Sequence, residues 1–159
     1  MGVATTKYTI FNRKGVHVNN YKHANYLENQ INNLIEYIND NQLGFGWKNH
    51  PNRNYQGLYI KGEVFDYCIF TKTKKLVFDA KQTEKSILSL ITKDIKQIIN
   101  LMKCYNCGFE AFLLIYFISD KKLMRCDVKD ILHILSDRKH IKQSDCKSFD
   151  YKEIIKMEV

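Results

Sequence analysis

Residues 63–81 read EVFDYCIFTKTKKLVFDAK, two runs rich in Val, Phe, Tyr and Ile around the polar tetrad Thr71–Lys74. Apolar and β-branched residues on both sides of a short polar connection predict a β-hairpin with strands Glu63–Phe70 and Lys75–Lys81. With Thr71–Lys74 as the turn, Phe70 pairs with Lys75, and four steps outward set Asp66 opposite Asp79. Directly opposed side chains in an antiparallel pair have Cβ atoms ~5 Å apart. Two carboxylates at that distance, ringed by Phe65, Tyr67, Val77 and Phe78, repel, and a divalent cation would remove the conflict. Oxygen ligands of this kind suit Mg2+, with Mn2+ as a substitute. Lys81 lies two residues beyond Asp79 and so points to the same face. A carboxylate pair beside an ammonium suits phosphodiester hydrolysis: the cation polarises the phosphate and acidifies a bound water, and the lysine offsets developing charge. An exposed strand whose polar face merely reads Asp, Asp, Lys gives the same string, and spacing alone does not separate the two.

Upstream, Leu27, Ile31, Leu34, Ile35 and Ile38 fall on one face of a helix over His23–Asn41. Gly44, Gly46, Asn49, Pro51, Asn52 and Asn54 then predict a loop. Downstream, Ile91, Ile95, Ile98, Ile99 and Met102 repeat the first stripe and predict a second helix, about Ser89–Cys104. Ala111–Ile118 is continuously apolar, as expected of a strand covered on both faces. Leu123–Cys126 reads as a further strand, Val128–Leu135 as a short helix and Lys152–Val159 as a closing strand. The order predicts an α/β fold with a mixed central sheet flanked by helices. Residues 1–21 show no sustained period and read as a basic N-terminal arm carrying Lys7, Arg13 and Lys14, with a short strand at Tyr8–Phe11. Residues 22–159 then form a single domain.

The chain has 159 residues, a size for one core, and 45% of them are hydrophobic, ample material to bury. Lysine and arginine number 25 against 17 acids, for a formal charge of +8. That excess favours a polyanionic partner, because each neutralised phosphate releases condensed counterions. A lysine-rich, AT-biased composition would produce it too. Five scattered cysteines point to reduced thiols and a cytoplasmic compartment, bacterial or that of a phage host. No apolar run approaches the ~20 residues of a membrane span.

On these residues a resemblance can be stated. Asp66, with Asp79-Ala80-Lys81 thirteen residues further on, looks like the PD-(D/E)xK motif of restriction-endonuclease-like nucleases. More narrowly the chain is similar to the RecU Holliday junction resolvases. Lys81-Gln82-Thr83 resembles their A-K-E-T segment, Gln97-Ile98 a Gln-Ile pair on their second helix, and Gly108–Phe117 (GFEAFLLIYF) their following strand. Leu27-Glu28 matches the Leu-Glu of their first helix. The similarity runs from about Tyr26 to Leu135. It implies a restriction-endonuclease-like fold and a metal-dependent, structure-selective DNA endonuclease that nicks four-way junctions as a homodimer. It also implies Asp66 and Asp79 as metal ligands with the Ala80 carbonyl, Lys81 as the catalytic lysine and Glu28 as a supporting carboxylate. Asp79 stands where these resolvases usually carry Glu, and Lys48–Gly62 is shorter than their stalk.

Other features are less specific. Lys72, Lys74 and Lys75 mark the hairpin turn and, with Arg13, Lys14 and Gln97, are candidate DNA contacts, although turn lysines and helix glutamines also serve solubility. Further basic clusters occur at Lys121/Lys122/Arg125 and Arg138/Lys139/His140/Lys142. Cys104 and Cys107 form a C-x-x-C without a second pair at matching spacing, which favours buried, inert thiols over zinc. Phe45 and Trp47 anchor the core or stack on a base. Two rival functions fit the same residues: a nuclease of this fold with another DNA substrate, and a non-catalytic basic DNA-binding protein.

Overall fold

The computed structural model describes residues 26–50, 52–53, 56, 59–61 and 64–156. The expected basic arm, its strand Tyr8–Phe11, and Arg13 and Lys14 lie outside them. Helix α1 (Tyr26–Asp40) buries Leu27, Ile31, Leu34, Ile35 and Ile38, the stripe read from the sequence. The segment expected as a loop is instead strand β1 (Gly44–Lys48), followed by a small antiparallel ribbon of β2 (Asn52–Arg53) and β3 (Tyr59–Lys61). Its glycines mark close approach rather than turning. A Cβ on Gly44 would lie 2.3 Å from the Phe70 carbonyl oxygen, and one on Gly46 3.2 Å from Ile35 Cγ1.

The hairpin forms in the expected register. β4 (Tyr67–Thr71) and β5 (Lys75–Thr83) pair antiparallel, Phe70 opposite Lys75 and Tyr67 opposite Phe78. The Thr71 N–H closes the turn on the Lys74 carbonyl at 2.8 Å. β4 starts later than Glu63, since Val64–Asp66 stand outside the ladder. After β6 (Ile87–Ser89) comes α2 (Thr92–Asn106), and the chain returns as β7 (Glu110–Phe117), parallel to β5. β8 (Lys122–Asp127) pairs antiparallel with β7 and leads into α3 (Val128–Leu135). β9 (His140–Lys142) pairs with β6, and after a 3-10 turn β10 (Lys147–Ser148) pairs with β8. The main sheet has the order β1-β4-β5-β7-β8-β10, mixed because of the single parallel pair.

Each face of the sheet carries its own core. α1 packs on Tyr67, Ile69, Leu76, Phe78, Phe112 and Leu114, joined by Ile154 and Ile155 of α4 (Lys152–Lys156). α2 and α3 pack on Cys68, Val77, Ala111, Leu113, Ile115 and Phe117. Ala111–Ile115 are therefore covered on both sides, as the unbroken apolar run predicts. Phe112 is wholly buried and stacks on Phe78 with ring centroids 4.9 Å apart; truncating it to Ala would cost about 3–5 kcal/mol.

Two expectations are corrected here. The segment from Lys152 is a helix, not a strand, because Ile154 and Ile155 are adjacent residues buried on one face, a pattern no strand permits. α2 is also rotated from its predicted orientation. Its wholly buried residues are Ile98 and Leu101, while Ile91 and Ile99 are 63% and 49% exposed. The inward line of its first turns is Asp94, Gln97, Ile98 and Leu101. An apolar count misses a buried face that begins with polar residues. No described helix is long and apolar enough to cross a membrane.

Candidate active site

The hairpin arithmetic has a physical consequence at the open end of the β4–β5 ladder. The Asp66 N–H donates to Asp79 Oδ1 at 2.8 Å, and the Ala80 N–H approaches Asp66 Oδ2 at 3.4 Å. The two carboxylates are thus laced together through each other's strand. Asn49, just past β1, pins the segment before β4: its N–H donates to the Asp66 carbonyl at 2.8 Å and its side-chain amide to the Phe65 carbonyl at 2.7 Å. Trp47 in turn donates its indole N–H to Asn49 Oδ1 at 3.0 Å. Trp47 itself packs partly buried against the α2 side, with the exposed Phe45 tilted over it at 5.0 Å. Trp47 is therefore anchored in the core, whereas Phe45 is 60% exposed.

Asp79 is 0% exposed, and its Oδ2 has no hydrogen-bond partner among the described residues. Burial raises its pKa to about 7, helped by the Asp66 charge; the Asp66 N–H and Lys81 oppose the shift, and Asp94 adds to it. A buried carboxylate with an orphaned oxygen, facing a second carboxylate, is an incomplete charge arrangement. A hard divalent cation would complete it. Among the described residues no three of His, Cys, Asp and Glu converge into one metal-holding group. Two carboxylates are still the usual protein share of a Mg2+ site, where water and phosphate oxygens fill the other positions.

Lys81 lies on the same side of the sheet as Asp79, and its environment is specific. Nζ is 2.7 Å from Asp94 Oδ1 and 2.8 Å from Gln97 Oε1, both on α2. The other Asp94 oxygen accepts the Ile91 N–H at 2.9 Å and caps that helix. The ion pair is partly buried, with side-chain exposures of 21% for Lys81 and 15% for Asp94.

The structure therefore brings together Asp66, Asp79, Ala80, Lys81 and Gln97. Glu28 stands apart from this hydrogen-bonded set. It is half-exposed and pairs with Lys48 at 3.2 Å. It still shares a neighbour with Asp66, since burial first, then the Glu28 and Asp66 charges, push the Tyr67 hydroxyl well above its ordinary pKa. Lys72, Lys74 and Lys75 are not beside the carboxylates. They occupy the opposite end of the hairpin: Lys75 is four residues before Asp79, ~13 Å along the strand, and Lys72 and Lys74 lie in the turn beyond it. Arg125 is neutralised by Glu110 at 3.1 Å and Asp127 at 2.7 Å, and Arg138 by Asp145. Cys104 is half-buried and Cys107 exposed, so the pair is not wholly buried as expected.

Sequence reasoning missed Asp94 and Asn49. Asp94 carried no capping-box signature, since the residue three before it is Ile91 rather than Ser, Thr, Asp or Asn. Asn49 had no signal either, because the strand that precedes it, β1, was read as a loop.

The family model of recombination protein U (RecU) matches residues 46–159. The structure is similar to a Holliday junction resolvase, Hjc, from Archaeoglobus fulgidus, with a TM-score of 0.51 and 12% identity over 81% of this chain and 97% of that one. A second similar structure is D212, a nuclease from a fusselovirus, with a TM-score of 0.44 and 15% identity over 83% and 86% of the two chains. No curated protein matches by sequence. The fold is thus that of the restriction-endonuclease-like Hjc resolvases.

Proposed function

Because the chain belongs to the RecU family, we propose that it is a metal-dependent DNA endonuclease that nicks four-way junctions by phosphodiester hydrolysis. Asp79 carries this reading. It is wholly buried two residues from Lys81, and while its Oδ1 accepts the Asp66 N–H, its Oδ2 has no partner among the described residues. A cation would supply that partner. Asp66 and Asp79 would hold Mg2+, or Mn2+ in its place, with the Ala80 carbonyl a further ligand. When bound, the cation would polarise the scissile phosphate and acidify the attacking water.

The rest falls to the chain itself. Lys81 meets charge that accumulates on phosphate oxygens in the transition state. Glu28, at the start of α1, supports the site from the Lys48 side. Gln97 acts through Lys81 rather than through DNA. The +8 charge draws DNA to the protein, with Lys72, Lys74 and Lys75, and Arg13 and Lys14 in the arm, as phosphate contacts. Two symmetric cuts in a two-fold junction need two sites related by a dyad, so a homodimer is the working form. The cytoplasm is the compartment where such DNA is met.

One observation favours a second reading, a nuclease of the same fold with another DNA substrate. Between Lys48 and Gly62, a stretch shorter than the stalk that the resemblance implies, the described residues form the small β2–β3 ribbon. A synthetic four-way junction and a linear duplex of the same sequence, each incubated with Mg2+, test both readings. Junction-selective nicking by the wild type and none by Asp66→Asn is expected. Equal cutting of both DNAs would transfer the assignment to the second reading. Tight junction binding without cutting under any divalent cation would leave a DNA-binding protein.

A further inference from the structure

Lysine is a flexible stem bearing three donors, and near two carboxylates it has an obvious wrong place to go. Without a competing partner, the Lys81 ammonium would swing onto Asp66 and Asp79 and take the position a cation needs. The structure shows it drawn the other way, onto Asp94 Oδ1 and Gln97 Oε1 at the first turns of α2. Gln97 is neutral, so the charge that holds Lys81 comes from Asp94. Asp94 is itself immobilised, because its second oxygen accepts the Ile91 N–H. Asp94 and Gln97 are three residues apart and share one helix face, so the two arms reach the same ammonium. Partial burial of both ends of the ion pair limits screening by salt.

We propose that Asp94 is the positioning residue of Lys81. It holds one of the three N–H groups and Gln97 a second, both on α2; together they leave the third for a phosphate or water oxygen, and the Asp94 charge keeps the ammonium off the Asp66–Asp79 pair. The role rests on the nuclease reading above. Its geometric half, that Asp94 holds Lys81, is testable without any cleavage.

The experiment compares wild type, Asp94→Asn, Asp94→Glu, Lys81→Met and the double variant Lys81→Met/Asp94→Asn. Nitrogen-edited NMR of lysine side chains is run in parallel with single-turnover nicking of a synthetic junction in Mg2+. In wild type the Lys81 Nζ protons should exchange slowly with water, and Asp94→Asn should speed that exchange several-fold. Nicking should fall about 10- to 100-fold with junction affinity unchanged, as expected of a misplaced group. Asp94→Glu should recover most of the rate. In the Lys81→Met background, Asp94→Asn should cost nothing more. Unchanged Lys81 exchange in Asp94→Asn, or an equal loss in the Lys81→Met background, would overturn the proposal, since Asp94 would then act on its own. Should Asp94→Asn fail to fold, Asp94→Ser restores a hydroxyl acceptor for the Ile91 N–H and carries the same two readouts. A wild type with a clamped Lys81 and no nicking sinks the nuclease reading but leaves the clamp standing.

Discussion

Asp79 on β5 and Asp127 at the end of β8 are the same residue on the same sheet, and their surroundings could hardly differ more. Asp127 accepts from Arg125 Nε at 2.7 Å and from Lys147 Nζ at 3.2 Å, and Arg125 also reaches Glu110. Burial pushes its pKa up, but those hydrogen bonds and cationic charges outweigh it, so the carboxyl titrates below its ordinary range. Asp79 is buried more deeply, faces Asp66 rather than an arginine, and is raised to about 7. Burial is common to both; an internal counter-charge is not. Asp127 belongs to a network that the chain completes by itself, whereas Asp79 Oδ2 has no partner among the described residues and is left for the proposed cation.

The largest expected effect lies in catalysis. Asp79→Asn, Asp66→Asn and Lys81→Met should each lower junction nicking by about a thousandfold or more, roughly 4 kcal/mol of barrier, with DNA binding retained. Asp127→Asn should leave the rate within a few-fold. Loss of cleavage in Asp127→Asn at unchanged stability would break the contrast at once.

Stability should move in opposite directions at the two aspartates. A carboxyl whose folded pKa is raised stabilises the fold fully below its unfolded value near 3.8, and that contribution is lost as pH rises towards about 7. Above pH 7 the ionised Asp79 costs on the order of 4 kcal/mol. Asp79→Asn removes the charge but leaves a buried amide, which offsets about 1–3 kcal/mol. Asp79→Asn should therefore raise the Tm at pH 8 in cation-free buffer. For Asp127 the sign reverses: its contribution is present at neutral pH and disappears in acid, so Asp127→Asn should lower the Tm at pH 8. Arg125→Met should cost about 1–2 kcal/mol, because Asp127 keeps Lys147 but loses its closer partner, while the exposed Glu110 carboxylate is solvated by water. Thermal melts of the three variants decide the matter, and shifts of the same sign at both aspartates would contradict it.

The same pKa sets the pH dependence of the cation. A cation at Asp79 must displace a proton below about pH 7, so apparent affinity should weaken about tenfold per pH unit there and level off above. At a hundredfold excess over its Kd the ion stabilises by about 2.7 kcal/mol. A Mn2+-induced Tm shift that is large at pH 8, small at pH 6 and absent in Asp79→Asn is the expected pattern. A shift independent of pH would place the ion elsewhere.

Much of the site was legible because strand pairing is arithmetic. Once Thr71–Lys74 is the turn, the Asp66–Asp79 pairing follows, and Lys81 follows from the alternation of side chains. The unbroken apolar run likewise gave β7 its double burial. What escaped had physical causes. β1 was hidden because Gly44 and Gly46, required by close packing, resemble turn signals. The face of α2 was misjudged because its inward line opens with Asp94 and Gln97, polar residues that hold Lys81, while Ile91 and Ile99 point outward. Hydrophobic periodicity locates cores, and a functional surface set into a core interrupts it.

The smallest effect concerns the hairpin's other end. Lys72 and Lys75 are exposed and Lys74 is half-buried, ~13 Å from Asp79 along β5. That is the length of about four base pairs at 3.4 Å each. At that distance they can grip a duplex arm but cannot touch the scissile phosphate. Replacing all three with Gln should weaken junction binding and reduce the salt slope by up to about 0.9 for each lost phosphate contact. The single-turnover rate at saturating protein should not change. An unchanged slope would remove the turn from the DNA path and leave these lysines as solvation. A fallen rate with an unchanged slope would mean that the hairpin bends to bring its two ends together, and the separation of grip from chemistry would then be wrong.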